Sequence, residues 1–97
     1  MPKYISLINY TQKGIENVKE SPNRSEAFKK LCESMGAKVE AVYLTMGRYD
    51  LIVIVDAPDS ECIAKIMLTT GSKGSASTET LQAFTEDEYR KIIAALP

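Results

Sequence analysis

The chain has 97 residues, which suits a single domain over residues 1–97, and it carries a formal net charge of −1 and no histidine. This charge leaves no surplus of basic side chains to neutralise phosphates and so disfavours nucleic-acid binding, and the lack of histidine excludes Ser-His-Asp or Cys-His catalysis and imidazole-liganded zinc. Catalysis would need Tyr, Asp, Glu, Lys, Arg or Cys side chains or a bound cofactor, and we predict neither a cofactor nor a metal.

The first third of the chain predicts a strand followed by a helix. Residues 3–10 are rich in β-forming side chains and indicate a strand with both faces largely buried. Ser21 followed by Pro22 is typical of a helix start, with a hydroxyl cap and a proline in the first helical position. The helix should extend to about Met35, where Gly36 ends it with a positive φ.

The middle of the chain predicts a hairpin. Residues 38–45 and 49–56 are predicted to form two strands, and the turn between them contains Gly47, which supplies a positive φ. The second of these strands contains the most hydrophobic run of the chain, residues 51–55. This run is typical of a central strand.

The last third predicts a helix, a strand and a final helix. Asp59 and its neighbours begin a helix that Gly71 ends, and residues 76–84 form the fourth strand. Residues 85–88, Thr-Glu-Asp-Glu, form a capping box at the start of the final helix. We expect that helix to bury four apolar side chains: Tyr89, Ile92, Ile93 and Leu96.

This order of elements, βαββαβ plus a C-terminal helix, predicts an α+β ferredoxin-like fold with an antiparallel sheet in the order 4-1-3-2. Two long helices cover only one face of such a sheet, whereas residues 51–55 are hydrophobic on both faces. We therefore expect a homodimer or higher oligomer in which two sheets pack face to face as a dimeric α+β barrel.

The same topology brings polar and aromatic residues to one end of the sheet and predicts a ligand-binding site there. Arg48 would hold an anionic group, and Asp50 would accept protons or hydrogen bonds. The alternative is that these residues satisfy turn amides and that the tyrosines are edges of the core; Glu79 is expected to be an exposed charge on an edge strand. The candidate site consists of Tyr10, Tyr43, Arg48, Tyr49 and Asp50.

The remaining features indicate a reduced compartment. Cys32 and Cys62 lack a CxxC spacing and fall within predicted helices, where we expect buried, reduced thiols. No apolar run approaches the roughly 20 residues that span a bilayer, so we expect no membrane partner. The N-terminus enters a strand pattern directly, and we predict no signal peptide and a cytoplasmic location.

Several segments together resemble the GYD-domain proteins, which are named for a glycine, a tyrosine and an aspartate. The resemblance covers nearly the whole chain and implies a ferredoxin-like fold in the dimeric α+β barrel superfamily, but it transfers no catalytic residue. The segments are Tyr4 to Thr11, Ser21-Pro22, Ala27-Phe28, Gly47-Arg48-Tyr49-Asp50, Thr78 to Leu81, and Ala83-Phe84.

Three functions fit these observations. The chain is a ligand-binding or regulatory module for a small, anionic metabolite, a cofactor-independent enzyme of monooxygenase or isomerase type acting on a small organic molecule, or an assembly protein without a small-molecule site. An enzyme would need a tyrosine or carboxylate shifted in pKa by burial.

Overall fold

The computed structural model describes residues 1–97 and contains one four-stranded sheet and four helices. The strands lie in the order β2-β3-β1-β4, and every neighbouring pair is antiparallel, which confirms the predicted fold class and strand order. The elements are β1 (Lys3–Tyr10), α1 (Gln12–Glu16), α2 (Ser21–Ser34), β2 (Lys38–Leu44), β3 (Leu51–Asp56), α3 (Ser60–Ser72), β4 (Ala76–Ala83) and α4 (Glu86–Ala94).

The start of α2 differs from the prediction. A 3₁₀ turn over Val18–Glu20 leads straight into the helix, so Ser21 already has helical dihedrals, with φ −55° and ψ −43°. Glu20 takes the cap position and makes no side-chain cap, and Pro22 is the second helical residue, one position later than predicted. The Ser21 hydroxyl is therefore free to bond to the Tyr10 hydroxyl, at 2.9 Å, and links α2 to the end of β1.

The ends of the later helices are set by side chains and by one glycine. Asp59 caps α3 by accepting a hydrogen bond from the Cys62 amide at 2.8 Å. The predicted end at Gly71 is wrong, because α3 continues to Ser72 and Gly74, with φ +82°, supplies the left-handed residue. The capping box at the start of α4 is confirmed in both directions.

The core lies between α2, α3 and one face of the sheet. Burial along β1 alternates, so that Tyr4, Ser6 and Ile8 are buried and their neighbours are only half-buried. From β3 the fully buried Val55 packs on this face, and from α3 the fully buried Ile66 packs on it. Each of these two side chains contributes about 1.5–3 kcal/mol by leaving water.

The other face of the sheet, which we call the open face, is covered by no element of the chain. It consists of the residues of β1 and β3 that point away from the helices, together with the residues of β2 and β4 that pair with them. Most of these side chains are apolar. A single chain therefore does not supply the second layer that was expected to pack against residues 51–55 on this face. The apolar members of the open face are Ile5, Leu7, Ala41, Tyr43, Ile52, Ile54 and Leu81.

Helix α4 leaves its apolar side exposed, which contradicts the prediction that it is buried. Its chain segment extends beyond the sheet: the radius of gyration is 14.6 Å, whereas a compact chain of this length has about 12.5 Å, and the longest dimension is 51 Å. The surface that α4 is shaped to cover is thus not supplied by its own sheet. Tyr89, Ile92, Ile93 and Leu96 are 44–61% exposed.

Candidate functional site

Asp50 ties three strands together at the end of the sheet. Its Oδ2 atom accepts a hydrogen bond from the Tyr10 amide at 2.9 Å, and its own amide donates to the Ile8 carbonyl, also at 2.9 Å. Its carbonyl accepts from the Thr45 amide at 2.8 Å. The side chain thus satisfies a backbone donor that the strand ladder leaves unpaired, which is a structural task.

The turn before Asp50 depends on backbone conformation. Gly47 has φ +126°, and a Cβ atom there would meet nothing within 4 Å, so its conformation, not space, calls for glycine. The Thr45 hydroxyl donates to the Tyr49 carbonyl at 2.6 Å and fixes the second half of the turn. As a result β3 begins at Leu51, two residues later than predicted.

Arg48, Tyr49 and Glu79 form a small polar cluster on the open-face side. The Tyr49 hydroxyl donates to a Glu79 carboxylate oxygen at 2.8 Å, and the Arg48 guanidinium lies 5.8 Å from the centre of the Tyr49 ring. The hydrogen bond to Glu79, together with partial desolvation, raises the pKa of Tyr49 above its ordinary value. The phenol is therefore a hydrogen-bond donor at neutral pH and not a base.

Glu79 is the residue of this cluster that sequence reasoning missed. Alternation along β4 predicted that Glu79 points away from the face that carries Thr78 and Thr80. The structure agrees, because Glu79 pairs with Leu7 of β1 and lies on the open face. Its partnership with Tyr49 joins positions 30 residues apart, which no local pattern indicates.

The structure divides the five predicted site residues between the two faces of the sheet. Tyr10 follows Ile8 on the helix side, where its ring lies 5.9 Å from the Arg24 guanidinium. Tyr43 lies opposite Ile52 on the open face and is 57% exposed. The backbone of Tyr10 meets Asp50, but the Tyr10 and Tyr43 side chains do not line one common pocket.

A β-bulge in β2 causes this division. Val39 pairs with Val55, but Ala41 pairs with Ile54, so the register shifts by one residue between them. Without the bulge, Tyr43 would pair with a helix-side position of β3 and would lie on the same face as Tyr10. The shift moves Tyr43 to the open face.

The other titratable groups have structural environments. Lys3 pairs with Glu40 and, at 3.0 Å, with Asp56, and these hydrogen bonds raise its pKa at the far end of the sheet. Cys32 is fully buried, and burial raises the pKa of its thiol to about 11. Cys62 is half-buried and also free, and no group of acidic and cysteine side chains converges as a metal site.

The strand order, the helices on one face and the Gly47–Asp50 turn define a small ferredoxin-like α+β protein. The chain belongs to the GYD family, because the GYD domain family model matches residues 4–93. None of its helices has the length and hydrophobicity to cross a membrane, and the cytoplasmic location stays a prediction.

Three known proteins show what this chain is similar to. A Thermus thermophilus protein described as a glutamine synthetase and cystathionine beta-lyase binding protein is 37% identical over 84 residues, which are 86% of this chain and 88% of that protein. A crystal structure of a Thermus thermophilus protein superimposes with a TM-score of 0.57 at 26% identity, covering 88% of this chain and 95% of that one.

The third is the feast or famine regulatory protein of Mycobacterium tuberculosis, solved in complex with L-methionine. It superimposes with a TM-score of 0.67 over 88% of this chain at 12% identity. This chain spans about half of that regulator, 51% of its length. The likeness therefore extends to the fold alone.

Proposed function

We propose that this chain is a regulatory binding module that acts by attaching to other proteins, among them a second copy of itself. The observation that carries the proposal is the uncovered apolar surface: the open face and the apolar side of α4 have no partner within the chain. Exposed apolar patches of this kind are typical of protein interaction sites. Attachment to a protein other than a second copy is supported by a separate observation, the Thermus relative whose description names two enzymes that it binds.

We propose that a second copy of the chain covers the open face. Each copy carries both unpartnered surfaces, the sheet face and α4, so a two-fold dimer can pair sheet with sheet and bring each α4 against its partner. At the charged end of the face, Lys3 is already paired with Glu40 and Asp56 within its own chain and does not need a partner from the second copy.

Light scattering in solution tests the dimer. We expect wild type to have the mass of a dimer or a larger oligomer, and Ile52→Lys to be a monomer because it places a charge at the centre of the open face. Leu68→Lys is the matched control, since Leu68 lies on α3 away from that face and is already 75% exposed. A wild-type monomer at micromolar concentration would refute the proposal.

Binding to enzymes needs its own experiment. We expect the chain to bind purified glutamine synthetase or cystathionine beta-lyase from its own source, measured by biolayer interferometry, and to change the turnover of the enzyme it binds. Lack of binding to both enzymes at micromolar concentration would contradict this part of the proposal. The oligomer proposal would then still be decided by light scattering alone.

A second candidate function is recognition of a small anionic metabolite at the part of the predicted site that the structure keeps together, Arg48, Tyr49 and Asp50. It is favoured by Arg48, which takes part in none of the ion pairs of the chain. A ligand that stabilises wild type raises its Tm by an amount set by RT ln(1 + [L]/Kd). Equal shifts in wild type and Arg48→Gln would exclude this site, and turnover of the ligand would favour the enzyme hypothesis.

A further inference from the structure

A cavity of about 120 Å³ lies between α2 and the helix-side face of the sheet. It is distinct from the open face and from the Arg48–Tyr49–Glu79 cluster, which lies on the other side of the sheet. Its wall is apolar and includes Ile8, Leu31 and Val53, whereas Tyr10, Ser21, Arg24 and Lys73 surround it with polar groups. A small apolar cavity with a few convergent polar groups is typical of a ligand site.

The charge around the cavity is entirely positive. Arg24 and Lys73 both line it, no acidic side chain does, and neither cation takes part in an ion pair. Lys13 adds a third positive charge close by, because its ammonium donates to the Lys73 carbonyl at 3.1 Å. The cavity thus attracts a negative group that the chain itself does not supply.

Arg24 is held in position for such a group. Its guanidinium donates to the Asn17 carbonyl at 3.0 Å and to the Gly14 carbonyl at 3.2 Å, and it lies over the Tyr10 ring. A guanidinium has five N–H donors, so those not used in these two bonds remain for a ligand. The Tyr10 and Ser21 hydroxyls are bonded to each other, which uses one of their two O–H donors and leaves the other beside Arg24.

We infer that this cavity binds a small amphipathic monocarboxylate. The carboxylate would lie between Arg24 and Lys73, within reach of the Tyr10 and Ser21 hydroxyls, and the aliphatic or aromatic body would fill the apolar part against Ile8 and Leu31. Inorganic phosphate would leave that part empty, and a neutral molecule would leave two cations without a counter-charge. The volume is below the roughly 300 Å³ of sites for drug-sized ligands, so the body is short.

Isothermal titration calorimetry with 4-methylpentanoate tests the inference. We expect wild type to bind it, and to bind both 4-methylpentanamide and acetate at least about tenfold more weakly, because the first lacks the charge and the second lacks the apolar body. Absence of 4-methylpentanoate binding at millimolar concentration would overturn the inference, as would equal affinity for the amide.

Charge-removing variants locate the binding. Arg24→Gln and Lys73→Gln should each weaken 4-methylpentanoate by about tenfold or more, since a hydrogen bond to a charged group is lost. Lys73→Gln keeps the test valid if Arg24→Gln disturbs the two carbonyl contacts that Arg24 makes. Lys29→Gln, the same change on α2 outside the cavity, should bind like wild type.

Equal weakening by Lys29→Gln would overturn the assignment in favour of general electrostatic attraction. Loss of binding in Arg48→Gln would place the carboxylate at the Arg48 end of the sheet instead. The outcome is independent of the proposed protein binding, because neither the Ile52→Lys variant nor the enzyme-binding assay reports on this cavity.

Discussion

Replacing Asp50 by alanine should destabilise the fold itself, because the side chain acts as a backbone acceptor. The Asp50→Ala variant removes the Oδ2 atom that accepts from the Tyr10 amide at 2.9 Å and leaves that partly buried N–H without its partner. A hydrogen bond to a charged acceptor contributes roughly 1.5–3 kcal/mol. For a domain of this size, a loss of about 2 kcal/mol lowers Tm by roughly 8–16 °C.

Asp50→Asn is the matched control, because its amide oxygen still accepts a hydrogen bond from the same donor. A neutral hydrogen bond contributes about 1 kcal/mol, so this variant should lose roughly half as much stability as Asp50→Ala. Urea unfolding followed by circular dichroism measures both, at one fixed protomer concentration because association alters apparent stability. Faster hydrogen exchange at the Tyr10 amide should accompany the loss.

The result that refutes this reasoning is an Asp50→Ala variant as stable as wild type. The carboxylate would then not be needed by the backbone, and its presence beside Arg48 and Tyr49 would call for a ligand. If both variants lose stability in the expected ratio, the structural alternative considered for Asp50 is sufficient.

Individual contacts lead to three further predictions. Gly14→Ala should cost about 1–3 kcal/mol or more in urea unfolding, because its Cβ would lie 1.9 Å from a backbone carbonyl oxygen, whereas Gly71→Ala, with nothing within 4 Å, should gain roughly 0.5–1 kcal/mol. Glu79→Gln should lower the pKa of Tyr49 in an NMR titration, because the hydrogen bond to Glu79 raises that pKa in the folded chain. The bond therefore stabilises the fold at pH values below the pKa of tyrosine in the unfolded chain, about 10, and this stabilisation is lost as the pH rises through the folded-state pKa. Cys32 should resist alkylation until urea unfolds the chain, since its thiol is fully buried and has a pKa of about 11. Cys62, which is only half-buried, should react in the folded state.

The order of elements could be read from local signals. The β-forming side chains of residues 3–10 predicted β1, the hydrophobic run predicted a central β3, and the capping box at Thr85 predicted the start of α4. These signals act within a few residues, so they can be recognised without knowing the rest of the fold. Ser21 was misassigned because a preceding 3₁₀ turn, not its hydroxyl, starts α2.

The residues of the candidate site could be grouped from the sequence only in part, and their role in binding stays a prediction. Arg48, Tyr49 and Asp50 do lie at the end of the sheet to which Tyr10 leads. Glu79 is exposed on the edge strand β4 as predicted, but its hydrogen bond to Tyr49 was not predicted. The cavity beside Arg24 and Lys73 was not foreseen, because Arg24 lies on α2 and Lys73 in the turn after α3, and they meet only where α2 packs over the sheet.

The sequence by itself determined the ferredoxin-like order, the glycine turn at Gly47 and the apolar character of both faces of the central strand, since each follows from local propensity or from the period of apolar residues. Only the tertiary structure decided which face each tyrosine occupies. The bulge between Val39 and Ala41 shifts the pairing by one residue, and in a strand one residue is the difference between the helix side, with Tyr10, and the open face, with Tyr43.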